Sequence, residues 1–231
     1  MNILIYIYRG MTMLDAIGPY EVLRNVKGAE IKLIAEQKGE ITADSQFVHL
    51  NAKYSIEEVE KADILLIPGS TIGFVKEAAN KKVLDWIRKV DQHTKKTVSV
   101  CTGSIILAAA GLLEGKKATS HWKPINMLAK YGAIPVRERV VKEGKYITAA
   151  GVSAGIDMAL HLVTELEGAD MAKAAQLAIE YDPDPLYDAG NFSKAEPDII
   201  KLAEKQMERD AKKDLSLWEM IKHARTISKL K

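Results

Sequence analysis

The chain has 231 residues, 47% of them hydrophobic, and its 33 Lys plus Arg against 31 Asp plus Glu leave a net charge of +2. That length and apolar content suffice for a buried core without disulfides or structural metal, which excludes a disordered or fibrous chain. Near-neutral charge with both signs interspersed argues against a nucleic-acid or anionic-membrane partner, since either needs a concentrated basic surface.

No stretch approaches the roughly 18 apolar residues of a membrane span. The opening Met1 to Tyr8 has neither the basic region nor the cleavage site of a secretory signal, so the protein is expected to be cytoplasmic. Cys101 is the single cysteine. It excludes an intrachain disulfide and a multi-cysteine metal site, and leaves only thiol chemistry.

Four short apolar runs, Ile3 to Tyr8, Ile31 to Ala35, Ile64 to Ile67 and Val98 to Val100, suit strands buried on both faces of a parallel sheet. Segments of helical period lie between them. Pro19 to Val26 is one, begun by its proline; Lys81 to Val90 is another, with Val83, Ile87 and Val90 on one face. Strand and helix alternate, so the expected fold is a doubly wound α/β core.

Further helices are expected from Gly103 to Gly111 and from Pro124 to Tyr131, each stopped by a glycine. Ile134 to Val141 and Lys145 to Thr148, separated by Lys142-Glu143-Gly144, read as a hairpin. Val152 to Leu166 and Asp170 to Glu180 read as core-covering helices. The two prolines and the glycine in residues 181–190 force an extended crossing of the surface.

Residues 201–231 hold nine Lys plus Arg and five Asp plus Glu. With Leu217, Ile221, Ala224 and Ile227 at helical spacing, they suggest a solvated amphipathic helix packed on the body. The expected organisation is therefore one α/β domain over residues 1–190 and a C-terminal helical extension over 191–231.

The chemistry gathers at the carboxyl ends of the strands, where open α/β sheets place their sites. Val100-Cys101-Thr102-Gly103-Ser104 puts the thiol after a buried strand and before a helix opened by Gly103. Helix amides there would make the thiol more acidic and would bind a developing anion. A small buried residue at a strand end fits the same pattern.

Asp15 lies ahead of Pro19 after the first strand, either as helix punctuation or as a proton donor and acceptor beside Cys101. Ile67-Pro68-Gly69-Ser70 turns at the same end. Its Gly69 and Ser70 amides either meet a substrate or merely end a strand.

His121 sits in a loop between core elements and is the histidine best placed to meet the cysteine as a base. His161 falls on an apolar helix face, while His49, His93 and His223 have no motif around them. No pair has metal-ligand spacing, so no metal is expected.

Together these motifs, with Ala118-Thr119-Ser120-His121-Trp122, Gly151-Val152-Ser153-Ala154-Gly155-Ile156-Asp157 and the proline-rich 180–190 segment, resemble the ThiJ/PfpI superfamily, which also contains glutamine amidotransferase-like domains. The resemblance covers residues 1 to about 190. It implies a flavodoxin-like α/β sandwich, a homodimer, and Cys101 on a strained strand-to-helix turn called the nucleophile elbow.

Asp15 stands where most of the superfamily has glutamate, and aspartate there is similar to the isonitrile hydratase branch. That likeness implies attack by Cys101 on a small-molecule isonitrile, proton transfer by Asp15 and assistance from Thr102, with no cofactor. It implies substrate contacts from Gly69, Ser70, Gly103, His121, Ala150 and Gly151. Ser70 replaces a glycine common in the family, and Ala149-Ala150 replace a glycine-rich approach.

Competing readings are a glyoxalase, deglycase or amidase-like activity of the same fold, and a thiol-based oxidative sensor. About 40 residues follow Gly190, too few for the paired helix-turn-helix units of related regulators.

Overall fold

The computed structural model describes residues 1–214. In chain order it contains β1 (Asn2–Tyr6), α1 (Met13–Leu23), β2 (Glu30–Ala35), β3 (Gly39–Thr42), β4 (His49–Ala52), β5 (Tyr54–Ser55) and β6 (Ile64–Ile67). There follow α2 (Phe74–Glu77), α3 (Lys81–Asp91), β7 (Lys96–Val100), α4 (Gly103–Ala109), β8 (Lys117–Ala118), α5 (Met127–Lys130) and β9 (Ile134–Pro135). The chain continues with β10 (Val140–Glu143), β11 (Tyr146–Ala149), α6 (Ala154–Glu167), α7 (Ala169–Ala178) and α8 (Pro197–Asp214).

Seven strands form the central sheet in the order β10-β11-β7-β6-β1-β2-β5, all parallel except the β10–β11 pair. Its middle strands are solidly apolar because helices cover both faces: all four residues of β6, and Ile3 to Tyr6 of β1, are buried. Helix α1 packs along α6, and α6 along α7, while α2, α3 and α5 gather on α4. This is the doubly wound arrangement expected from the alternating pattern, and the flavodoxin-like sandwich that the family resemblance implied.

Chain direction across the sheet reverses between β1 and β6, since β1 leads to β2 on one side and the chain then crosses to β6 on the other. A crevice at the carboxyl ends of the strands opens at such a reversal. Asp15 follows β1, Gly69 follows β6 and Cys101 follows β7, so three adjacent strands deliver the candidate groups to one place.

Three local expectations are corrected. Pro19 does not begin a helix; it lies inside α1, which starts six residues earlier at Met13. The Asp15 carbonyl therefore lacks an N–H partner from Pro19, and Asp15 stands in the first turn instead of before it.

The hairpin begins at Val140, not Ile134. Ile134–Pro135 instead pairs in parallel with Lys117–Ala118, because Pro135 cannot donate to a ladder and suits a short edge pairing. The segment after Pro124 becomes regular helix only at Met127.

The C-terminal extension is fastened by rings and charges. Trp122 stacks on Phe192 with centroids 5.4 Å apart, Arg137 lies over the Phe192 ring at 4.9 Å, and Lys123 meets Glu208 at 3.4 Å. The expected apolar stripe of Leu217, Ile221, Ala224 and Ile227, and His223 with it, falls outside the described residues. Among the described residues no helix is long and apolar enough to cross a membrane.

Candidate active site

Cys101 directly follows β7 with φ of +57°, the left-handed region that a non-glycine residue enters only at a steric cost. The surroundings hold it there. Its N–H donates to the Ala149 carbonyl at 3.0 Å, and its carbonyl accepts from Ser120 Oγ at 3.1 Å and Ser104 Oγ at 3.2 Å. The strand-to-helix turn thus presents the thiol at the carboxyl ends of the central strands, although Cys101 is only 3% exposed.

Two glycines permit the turn. A Cβ on Gly69 would stand 2.4 Å from the Thr102 nitrogen and 2.9 Å from Cys101 Cβ, and one on Gly103 would stand 2.1 Å from the Ile67 carbonyl oxygen. The β6 loop and the elbow therefore touch backbone to backbone.

Asp15 is fully buried. Its Oδ2 accepts the Gly69 N–H at 2.9 Å, while Oδ1 has no hydrogen-bond partner. Burial raises its pKa from 3.8 to about 7, against the pull of the Gly69 N–H and the Cys101 side chain, and the Asp44 charge adds to the rise. A carboxyl so placed keeps its proton near neutrality and can give it up or take it back.

The Cys101 thiol is likewise pushed well above its ordinary value, first by burial and then by the Asp15 charge, while the Thr102 N–H and hydroxyl pull it down. The thiol acidity expected from the helix is thus outweighed. Helix α4 has only seven residues, and desolvation beside a carboxyl exceeds what its first turn supplies. The two are coupled, because an ionised Asp15 opposes loss of the thiol proton.

Thr102 faces the β6 loop. Its Oγ1 accepts the Ser70 N–H at 2.8 Å and donates to the Ser70 carbonyl at 2.9 Å. The Gly69 and Ser70 amides are therefore both committed within the protein, to Asp15 and Thr102. Ser70 Oγ accepts the Phe74 N–H at 2.6 Å and so caps the short α2.

His121 is half-buried, its Nδ1 accepts the Lys123 N–H at 3.4 Å, and burial lowers its pKa to about 4, so the ring is neutral at pH 7. It lies against Gly151, where a Cβ would stand 3.8 Å from the ring, rather than in a hydrogen bond with Cys101. The Ala150 N–H is held by the Arg139 carbonyl at 2.9 Å. Among the described residues no cluster of three His, Cys, Asp or Glu side chains is placed to hold a metal ion.

Several contributors escape the sequence. Tyr8, at the end of the first apolar run, is buried, donates to the Pro68 carbonyl at 3.2 Å and has its phenol raised well above the ordinary value by burial, with Asp15 and Cys101 adding to the rise. Its position two residues past a strand is the signal that would have found it. Ser120 carries no signal beyond its place in the Ala118–Trp122 motif.

Fold and site define a doubly wound α/β domain organised around a buried cysteine and aspartate. The chain belongs to the DJ-1/PfpI family, whose model matches residues 1–165, as the motifs had implied. It is 38% identical to the isonitrile hydratase of Pseudomonas putida over 194 residues, 84% of each chain.

It is also 27% identical to a deglycase of Thermococcus kodakarensis over 150 residues, 64% of this chain and 89% of that one. Among solved structures, a ThiJ/PfpI family protein from Pseudomonas syringae superposes with a TM-score of 0.86 at 36% identity, covering 92% of this chain and 88% of that one.

Proposed function

We propose that the protein is an isonitrile hydratase, converting an isonitrile to an N-substituted formamide. The observation that carries the reading is the buried Asp15 carboxyl with a free Oδ1, next to the Cys101 thiol, in a chain that shares 38% of its residues with a hydratase along 84% of its length.

In this reading the pair works with one proton. Cys101 sulfur attacks the terminal isonitrile carbon as Asp15 delivers a proton to that carbon, which forms a thioimidate and leaves Asp15 ionised. Asp15 then takes a proton from water as the water oxygen attacks the thioimidate carbon and passes it to the nitrogen; the remaining hydroxyl proton returns to Asp15 as the C=O bond forms and the C–S bond breaks, which releases the formamide and the Cys101 thiolate. Thr102 keeps the elbow against the β6 loop, and neutral His121 with Gly151, Ala150 and Gly103 borders the substrate. The protein acts as a homodimer in the cytoplasm and needs no cofactor for these steps.

The test is incubation with p-nitrophenyl isocyanide, followed by ultraviolet absorbance, beside Cys101→Ala. Expected is formamide formation by the native protein and none by the variant. No turnover by the native protein, with lactate formed from methylglyoxal instead, would replace the reading with an oxoaldehyde activity.

A further inference from the structure

Asp44 lies in the turn between β3 and β4, away from the family motifs, yet it reaches both loops that frame the reacting pair. Its Oδ2 accepts from Thr12 Oγ1 at 2.6 Å and from Thr71 Oγ1 at 3.3 Å, and its N–H donates to the Met11 carbonyl at 2.9 Å. Thr12 is the residue from which α1 starts; its carbonyl accepts the Asp15 N–H at 3.1 Å, and its own N–H donates to the Gly69 carbonyl at 2.9 Å. Thr71 directly follows Ser70, which forms a β-bridge with Met11.

One half-buried carboxylate thus joins the Met11–Asp15 turn, which carries the proton donor, to the Gly69–Thr71 turn, which holds it. We propose that Asp44 is a positioning residue for Asp15, fixing these two turns against each other and setting a negative charge beside the carboxyl that carries the proton. The proposal rests on the reading of Asp15 as the acid/base group.

Electrostatics point the same way. The charge of Asp44 is among the causes that raise Asp15. From the other packed elements, the titratable groups facing Asp15 are Cys101 at the elbow and Tyr8 after β1. On the hairpin itself, His49 is engaged by Glu40 at 3.3 Å and Thr42 at 3.2 Å. Among the described residues no Lys, Arg or His forms an ion pair with Asp44, whose Oδ2 is held by threonine hydroxyls alone.

The experiment follows iodoacetamide alkylation of Cys101 in the full chain by intact mass between pH 5 and 9, for the native protein, Asp44→Asn, Thr12→Val and Asp15→Asn. Alkylation needs the pair to have lost its first proton, so the native rate should climb through an inflection near pH 7.

Asp44→Asn still accepts both threonine hydroxyls but lacks the charge. Its inflection should fall, and alkylation at pH 6 should rise about threefold, the effect of removing one solvent-screened charge that raises Asp15. Thr12→Val keeps the charge and loses the bond, so the inflection should stay while kcat for the aryl isonitrile drops at unchanged KM.

An Asp44→Asn profile superimposable on the native one overturns the proposal, as does an inflection that survives in Asp15→Asn. If the hydratase reading alone is wrong, isonitrile turnover is absent from the native protein while the alkylation profiles still shift.

Discussion

Two buried aspartates stand at opposite ends of the central sheet, and the protein treats them differently. Asp91, at the end of α3 and near the start of β7, is 6% exposed. Thr97 donates to its Oδ1 at 2.6 Å, Tyr146 to its Oδ2 at 3.1 Å, and Lys145 Nζ approaches Oδ2 at 2.9 Å and also meets its backbone carbonyl.

Asp15, fully buried, has a single N–H on one oxygen, none on the other and a second carboxylate among its neighbours. The same fold can satisfy a buried carboxylate, as it does at Asp91. Where it leaves one short of donors beside the sole cysteine, the proposed reaction supplies the missing partners.

The largest effect that would break this contrast is at Asp15. Asp15→Asn should lower kcat on an aryl isonitrile by about 10²–10⁴-fold, the usual worth of a positioned acid/base. It should also make the protein more stable above neutral pH. A group whose folded pKa is raised from 3.8 to about 7 favours the fold fully below 3.8 and loses that contribution as pH climbs through 7.

Removing the ionisation should therefore raise stability at pH 8 by up to about 4 kcal/mol, read in urea melts at pH 5 and 8. Equal melts of native and variant protein at both pH values would show Asp15 to be as well satisfied as Asp91.

At Asp91 the expected outcome is the reverse. Asp91→Ala strands Lys145 and two hydroxyls and should cost about 3 kcal/mol, seen as a lower urea midpoint, with kcat at 25 °C unchanged. The smallest effect belongs to the extension: Phe192→Ala removes the Trp122 stack and the Arg137 contact and should cost about 1 kcal/mol. Red-shifted tryptophan fluorescence reports it, with turnover within about twofold of native.

The core strands were legible because burial on both faces leaves runs such as Ile64 to Ile67 with no polar residue to confuse the period. Helix α3 was legible for the complementary reason, its one apolar stripe. Cys101 stood out through an apolar strand before it and Gly103 after it, a pattern that fixes the backbone at both sides.

Pro19 misled because a proline usually opens a helix, and only tertiary packing tells that α1 already began at Met13. The β3–β4 hairpin is made of short, half-polar strands without a readable alternation, so neither its turn nor Asp44 within it carries a signal in the sequence. The raised thiol pKa was hidden because local sequence displays the helix amides but not the depth of burial.

The left-handed backbone at Cys101 carries one more consequence. At φ of +57° a glycine would sit without strain where the cysteine costs about 1–2 kcal/mol. In the proposed reaction that strain is what aims the sulfur out of the strand and toward the substrate.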